Sequence, residues 1–104
     1  MSDYVKVASV TDLAPGQMTL VEVAGELICL ANVDGAFYAI GDECTHVGGA
    51  LSDGELEGYI VSCPIHFGQF DIRTGEVVQR PPREDAMTYE VKVQGQDVLI
   101  ARPK

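Results

Sequence analysis

Two short motifs that combine cysteine and histidine are the residues of this sequence best suited to chemistry. Cys44 and His46 form the first motif, Cys-Thr-His, and Cys63 and His66 form the second, Cys-Pro-Ile-His, with residues 47–62 between them. The chain has 3 Cys and 2 His in total, so these motifs hold nearly all of its thiols and imidazoles. Because thiolates and imidazoles are metal ligands, the two pairs indicate a metal centre.

Other chemistries fit these residues less well. A disulfide is disfavoured in a cytoplasmic chain. A structural zinc site of two Cys and two His is chemically possible, although its usual arrangement pairs Cys with Cys and His with His at short spacing. A cysteine nucleophile with a histidine base would leave the second pair without a role. The remaining cysteine, Cys29, lies in an apolar run and is expected to be a buried core thiol.

The elements that must position these motifs are short runs rich in β-branched and aromatic residues. Most are bounded by turn-forming residues, which predicts an all-β sandwich or small barrel. The predicted strands are 5–10, 18–23, 27–32, 37–40, 59–63, 69–72, 76–79, 88–93 and 98–101, and the predicted turns are 14–17, 33–35, 73–75 and 94–97. The segment 41–58 is rich in glycine and acids, contains the first motif, and is predicted to be a long functional loop.

Composition limits the possible functions. A chain of 104 residues has room for one compact domain, and no secretory signal or membrane-spanning run is visible, which favours the cytoplasm. The net charge of -9 argues against nucleic acid or an anionic membrane as a partner. Between Val7 and Ile72 there is no Lys or Arg. The acids there either keep loops solvated or form an acidic face for transient docking with a basic protein.

Together the two motifs resemble those of Rieske [2Fe-2S] proteins, in which Cys-X-His is followed by Cys-X-X-His. The flanking residues that extend the resemblance are Gly48-Gly49, Gly68, Phe70-Asp71 and Arg73-Thr74-Gly75. The resemblance covers nearly the whole chain and implies a single Rieske domain over residues 1–104. The implied fold has an antiparallel β-sandwich or barrel base and a smaller cluster-binding subdomain, approximately residues 42–80, that carries two ligand loops.

The resemblance also implies the cofactor and its ligands. One [2Fe-2S] cluster per chain would be held by Cys44 and Cys63 on one iron and by His46 and His66 on the other. Neutral imidazoles in place of two thiolates make the cluster easier to reduce than an all-cysteine cluster.

Departures from other members of the family bear on the reduction potential. Rieske proteins of quinol-oxidising respiratory complexes carry further cysteines where this chain has Gly49 and Ile65, and hydroxyl donors where it has Gly68 and Phe70. Fewer donors to the cluster predict a potential near the low end of the family range of roughly -150 to +300 mV. The acidic pair Asp42-Glu43 adjoins the first ligand, and would lower the potential, contact a partner or simply be solvated.

The resemblance is strongest to the ferredoxin components of bacterial aromatic-ring-hydroxylating dioxygenase systems. Rieske oxygenases also contain a mononuclear iron held by two His and a carboxylate. The cluster would use both histidines of this chain, so none would remain to hold such an iron. The implied function is therefore a soluble, monomeric one-electron carrier with no catalytic residues, between an NAD(P)H-dependent flavoprotein reductase and a terminal oxygenase. His46 and His66 are expected at an exposed tip beside Val47 and Phe67. The alternatives are the small Rieske subunit of an assimilatory nitrite reductase and, more distantly, a zinc-stabilised interaction module.

Overall fold

The chain folds into antiparallel β-sheets in the computed structural model, which describes residues 4–42, 50–64, 68–79 and 86–101. Those residues contain eleven strands and one short 3-10 helix, Leu51–Asp53. The strands are β1 (Tyr4–Ser9), β2 (Met18–Val23), β3 (Glu26–Val33), β4 (Ala36–Gly41), β5 (Glu55–Glu57), β6 (Ile60–Ser62), β7 (Gln69–Asp71), β8 (Val77–Gln79), β9 (Thr88–Tyr89), β10 (Val91–Gln94) and β11 (Asp97–Ala101). No helix in this part of the chain is long and apolar enough to cross a membrane.

The strands form three sheets within the described residues. The first has the order β1-β11-β10, the second β2-β3-β4-β9 and the third β5-β6-β7-β8. Every recorded strand pair is antiparallel. The third sheet lies within residues 55–79 and is the one that leads into the second cysteine-histidine motif.

Two tight hairpins build the middle sheet. The Ala24-Gly25 pair joins β2 to β3 and the Asp34-Gly35 pair joins β3 to β4, and all four residues have positive φ. Two consecutive residues with positive φ are typical of type I′ turns, whose twist matches that of the flanking strands. The hairpins therefore hold β2, β3 and β4 in a fixed register.

The middle sheet separates two hydrophobic clusters. Because side chains alternate along a strand, β3 places Cys29, Ala31 and Val33 on one face and Ile28 and Leu30 on the other, and all five are buried. The first face packs against residues of β6 and β7, and the second against residues of β11. The third sheet thus rests on one face of the middle sheet, through a shared apolar core.

The all-β prediction is confirmed, with differences at particular elements. The bounds of β2 are those predicted, whereas the predicted strand 88–93 is interrupted at Glu90 into β9 and β10. The prediction of one loop over 41–58 is wrong in part, because β4 includes Gly41, and the 3-10 helix and β5 occupy residues 51–53 and 55–57. β5 forms because its short Glu-Leu-Glu sequence pairs with β6 and places Leu56 against the core.

Candidate metal centre

The structure describes one of the four predicted ligands, Cys63. Cys44, His46 and His66 lie outside the described residues. The same is true of other residues predicted to surround the site, namely Glu43, Val47, Gly48, Gly49, Ile65 and Phe67. The described part of the site therefore consists of Cys63 and of the residues that hold the ends of the two motif segments.

Cys63 directly follows β6 and is fully buried, with a free thiol. Its N–H donates a hydrogen bond of 2.8 Å to the carbonyl oxygen of Gly68. Because Ser62 and Gln69 are paired across β6 and β7, this bond extends the pairing of the two strands by one residue. The second motif thus begins, directly after β6, with a buried thiol whose backbone is bonded to the residue that precedes β7.

The segment that contains the first motif is closed at its base by Asp42. The N–H of Leu51 donates to the Asp42 carbonyl oxygen at 2.6 Å, and the N–H of Ser52 donates to Asp42 Oδ1 at 2.7 Å. The N–H of Asp42 itself donates to the Leu27 carbonyl oxygen of β3 at 3.0 Å. Asp42 is only 3% exposed, so the interpretation of this residue as a solvated acid is wrong.

Gly54 brings the flanks of the two motifs together. It follows the 3-10 helix, and a Cβ placed on it would collide with the carbonyl oxygen of Ser62, the residue before Cys63. Its φ of -86° lies outside the positive range that favours glycine, and this lack of space is the observed reason for glycine at this position. A cavity of about 240 Å³ adjoins this contact and is lined by residues 53–55 and 62–64.

The residues after the second motif form a compact turn. Phe70 is fully buried and offers no side-chain donor, in agreement with its apolar type. Gly75, with a φ of +78°, donates its N–H to the Asp71 carbonyl oxygen at 2.7 Å and accepts the N–H of Ala86 at 2.7 Å. This turn ties the end of β7 to the chain that enters β9.

An ion pair that the sequence did not predict stabilises the same turn. Arg73 donates to the Asp71 carboxylate through Nε at 3.1 Å and through a terminal nitrogen at 2.9 Å. These hydrogen bonds hold the pKa of the Asp71 carboxyl below its usual value. The separation of only two residues between an acid and a base could have signalled the pair, but such spacings are common at solvated turns.

Cys29 is a core thiol, as predicted. It is fully buried in β3, and its Sγ lies 3.6 Å from Met18 Sδ. Burial, with a smaller contribution from the charge of Asp42, raises the pKa of the thiol to about 12. Cys29 therefore stays protonated at neutral pH and is not placed for thiolate chemistry.

The donor set is compatible with an iron–sulfur cluster. Within residues 4–42, 50–64, 68–79 and 86–101, no group of three or more metal-ligand side chains comes together. Three of the four predicted ligands lie outside those ranges. Cys63, as a buried thiol free of any disulfide and next to the flank of the first motif, fits the soft thiolate ligand that such a cluster requires.

Comparison with known proteins adds the family context. Residues 3–90 match the Rieske [2Fe-2S] domain family. The chain is 39% identical over 98 residues to the biphenyl dioxygenase ferredoxin subunit of Pseudomonas sp. strain KKS102, covering 93% of this chain and 90% of that protein. It is 42% identical over 95 residues to the ferredoxin component of biphenyl 2,3-dioxygenase from Rhodococcus jostii strain RHA1, covering 91% and 89%.

Solved structures agree with the sequence relatives. The ferredoxin of carbazole 1,9a-dioxygenase from Nocardioides aromaticivorans IC177 matches with a TM-score of 0.95 and 32% identity, over 98% of this chain and 100% of that one. A ferredoxin-containing complex with reduced oxygenase in carbazole 1,9a-dioxygenase matches at 0.91 and 33% identity, over 97% and 95%. A protein described as the small subunit of an NADH-dependent nitrite reductase from Mycobacterium tuberculosis matches at 0.90, over 100% and 98%, but with 22% identity, which supports the fold alone.

Proposed function

The chain belongs to the Rieske [2Fe-2S] domain family, and from this premise we propose that it carries single electrons to the terminal oxygenase of an aromatic-ring-hydroxylating system. The observation that carries the proposal is identity of 39% and 42%, over more than nine-tenths of the chain, to ferredoxin components of biphenyl dioxygenases. The protein is an electron-transfer component and not itself an enzyme. As a member of the family it holds one [2Fe-2S] cluster.

The proposed ligands are Cys44 and Cys63 for one iron and His46 and His66 for the other. The cluster supplies a one-electron couple when bound. Cys63 supports the assignment because it is buried, free and fixed by its hydrogen bond to Gly68. Phe70 is apolar and Gly68 has no side chain, so neither donates a side-chain hydrogen bond to the cluster. This supports a reduction potential near the low end of the family range.

The proposed electron donor is an NAD(P)H-dependent flavoprotein reductase, and the proposed acceptor is the oxygenase. A net charge of -9 favours a monomer that meets basic surfaces on its partners, because like charges repel and opposite charges speed encounter. The cytoplasm, where NAD(P)H is available, is the proposed location.

Reconstitution tests the function. The purified holoprotein is mixed with NADH, a ferredoxin reductase of a biphenyl dioxygenase system, and the matching oxygenase with biphenyl. We expect product only when this protein is present, with each NADH supplying two single-electron transfers. If the reductase reduced this protein efficiently but no electrons passed from it to the oxygenase, the proposal would be contradicted. The nitrite reductase alternative predicts instead stable co-purification with a large catalytic subunit.

Two buried cysteines give a matched test of the ligand assignment. Cys29 and Cys63 are both 0% exposed and belong to the same hydrophobic cluster, so replacing either by alanine removes a similar amount of packing. We expect Cys63→Ala to lose the iron and the visible absorption, whereas Cys29→Ala retains both. Full iron content in Cys63→Ala would rule out Cys63 as a ligand. One zinc and no iron in the wild-type protein would favour the interaction module.

A further inference from the structure

Beyond the four ligands, we propose that the buried carboxylate of Asp42 is a positioning residue that closes the first motif segment and lowers the reduction potential of the cluster. This inference rests on the proposed function, because it assumes that Cys44 and His46 are ligands. Asp42 stands two positions before Cys44 in the sequence.

The contacts of Asp42 join both ends of residues 43–49. Its backbone oxygen accepts the N–H of Leu51 at 2.6 Å, and Oδ1 accepts the N–H of Ser52 at 2.7 Å. Its own N–H donates to the carbonyl oxygen of Leu27 in strand β3, so the junction is hydrogen bonded to the middle sheet. A hydrogen bond to an ionised acceptor is stronger than a neutral one. The carboxylate therefore fixes Asp42, two positions before Cys44, against Leu51 and Ser52.

The charge of Asp42 lies in a poorly screened environment. The residue is 3% exposed, and an interior charge acts over a longer range than one in water. The ion pairs recorded among the described residues, Lys6–Asp97 and Arg73–Asp71, use other acids. The field of Asp42 reaches the core thiol Cys29, whose pKa it helps to raise. Cys29 shares its hydrophobic cluster with Cys63, the proposed iron ligand.

A buried negative charge near the cluster has a definite redox consequence. Reduction adds one electron, delivered by the reduced flavin of the reductase, and makes the centre more negative by one unit without making or breaking a bond. A fixed carboxylate nearby opposes this added charge and so lowers the potential. Asn at position 42 keeps a carbonyl oxygen for the N–H of Ser52 but removes the charge, and Ala removes both.

The test is a titration of wild-type and variant holoproteins with dithionite and mediators, followed by visible absorption. We expect Asp42→Asn to keep the iron content and to raise the reduced-to-oxidised ratio at a fixed applied potential about tenfold, equal to about 59 mV for one electron. Asp53→Asn is the matched control, because Asp53 is an exposed carboxylate on the adjoining helix. We expect it to shift the ratio less than about threefold, or about 28 mV.

Loss of the cluster to a chelator tests the positioning role. We expect release to be faster from Asp42→Ala than from Asp42→Asn, since only the latter retains an acceptor for Ser52. A potential for Asp42→Asn that equals that of Asp53→Asn would overturn the inference while leaving the electron-carrier function intact. If Asp42→Asn does not fold, Asp42→Ser, which is also neutral, carries the same comparison. A wild-type protein without a redox-active cluster would overturn the proposed function and the inference together.

Discussion

The guanidinium carbon of Arg73 lies 4.0 Å from the centroid of the Tyr59 ring, so the turn after β7 is stacked on the turn between β5 and β6. The same guanidinium is hydrogen bonded to Asp71. Tyr59 also meets Tyr38 of β4 edge-on, with ring centroids 6.0 Å apart. Arg73 therefore joins two turns of the third sheet, and through the two tyrosines it connects that sheet to the middle one.

Replacing Arg73 by Gln should lower the free energy of unfolding only modestly, because the contact with the Tyr59 ring and the bidentate ion pair with Asp71 are both exposed to solvent. The loss should depend on pH. Since Arg73 holds the pKa of Asp71 below the usual value of 3.8, the pair contributes stability above that value and loses it as pH falls through the lowered pKa. The urea midpoints of the two holoproteins, measured from pH 7 downward, should approach each other in acid without becoming equal, because protonation of Asp71 removes the ion pair but not the stack on Tyr59.

The pair Lys6–Asp97 provides the control for this prediction. Its side chains are 56% and 48% exposed, so Lys6→Gln should change the midpoint little at any pH. An Arg73→Gln deficit that stays constant down to pH 3 would mean that stacking on Tyr59, and not the ion pair with Asp71, provides the stability.

The parts of this fold that the sequence predicts are those governed by local pattern. β2 and β3 are found because apolar residues alternate or run together between turn residues. β5 was missed because Glu55-Leu56-Glu57 has one apolar residue, and its pairing with β6 is decided by the core beneath Leu56. The turn at Ala24 was missed because alanine rarely adopts a positive φ.

The candidate site divides in the same way. The spacing of cysteine and histidine can be read from the sequence and identifies the family. The burial of Asp42 cannot be predicted from the sequence. Whether an acid at that position is solvated or buried depends on the N–H groups of Leu51 and Ser52, which only the folded chain brings to it. Residues that position ligands without binding metal carry no spacing rule of their own.

Ala24 stores backbone strain that a substitution can relieve. Its φ of +53° is unfavourable for a residue with a Cβ, and the side chain is exposed, so it has little packing to lose. We expect Ala24→Gly to raise the free energy of unfolding by about 0.5–1 kcal/mol, because glycine adopts this conformation without steric cost. Urea denaturation of the holoprotein measures the change. Gly25→Ala at the next position, with a φ of +85°, should instead destabilise.

Cys29 should be chemically inert in the folded protein. With its pKa raised to about 12, the thiolate fraction at pH 8 is lower than that of a free cysteine by more than about a thousandfold. Iodoacetamide should therefore leave the Cys29 peptide of the native holoprotein unmodified while labelling it readily in urea, as measured by mass spectrometry. Similar rates in the two states would show that the strand β3 opens often enough to expose its thiol.

Gly54 should be required for a correctly assembled site, whereas Gly41 should not. A Cβ on Gly54 would collide with the backbone oxygen of Ser62, so either the helix that follows the first motif or the strand that leads to Cys63 must shift. Crowding of this kind costs about 1–3 kcal/mol, and here it also displaces the proposed ligand. We expect Gly54→Ala to lower the melting temperature and the iron content together.

Gly41→Ala is the matched control at the other end of the first segment, since its Cβ would meet only Met87 at 3.9 Å, an ordinary contact. Full iron content in a destabilised Gly54→Ala would show that the contact with Ser62 serves stability without positioning Cys63.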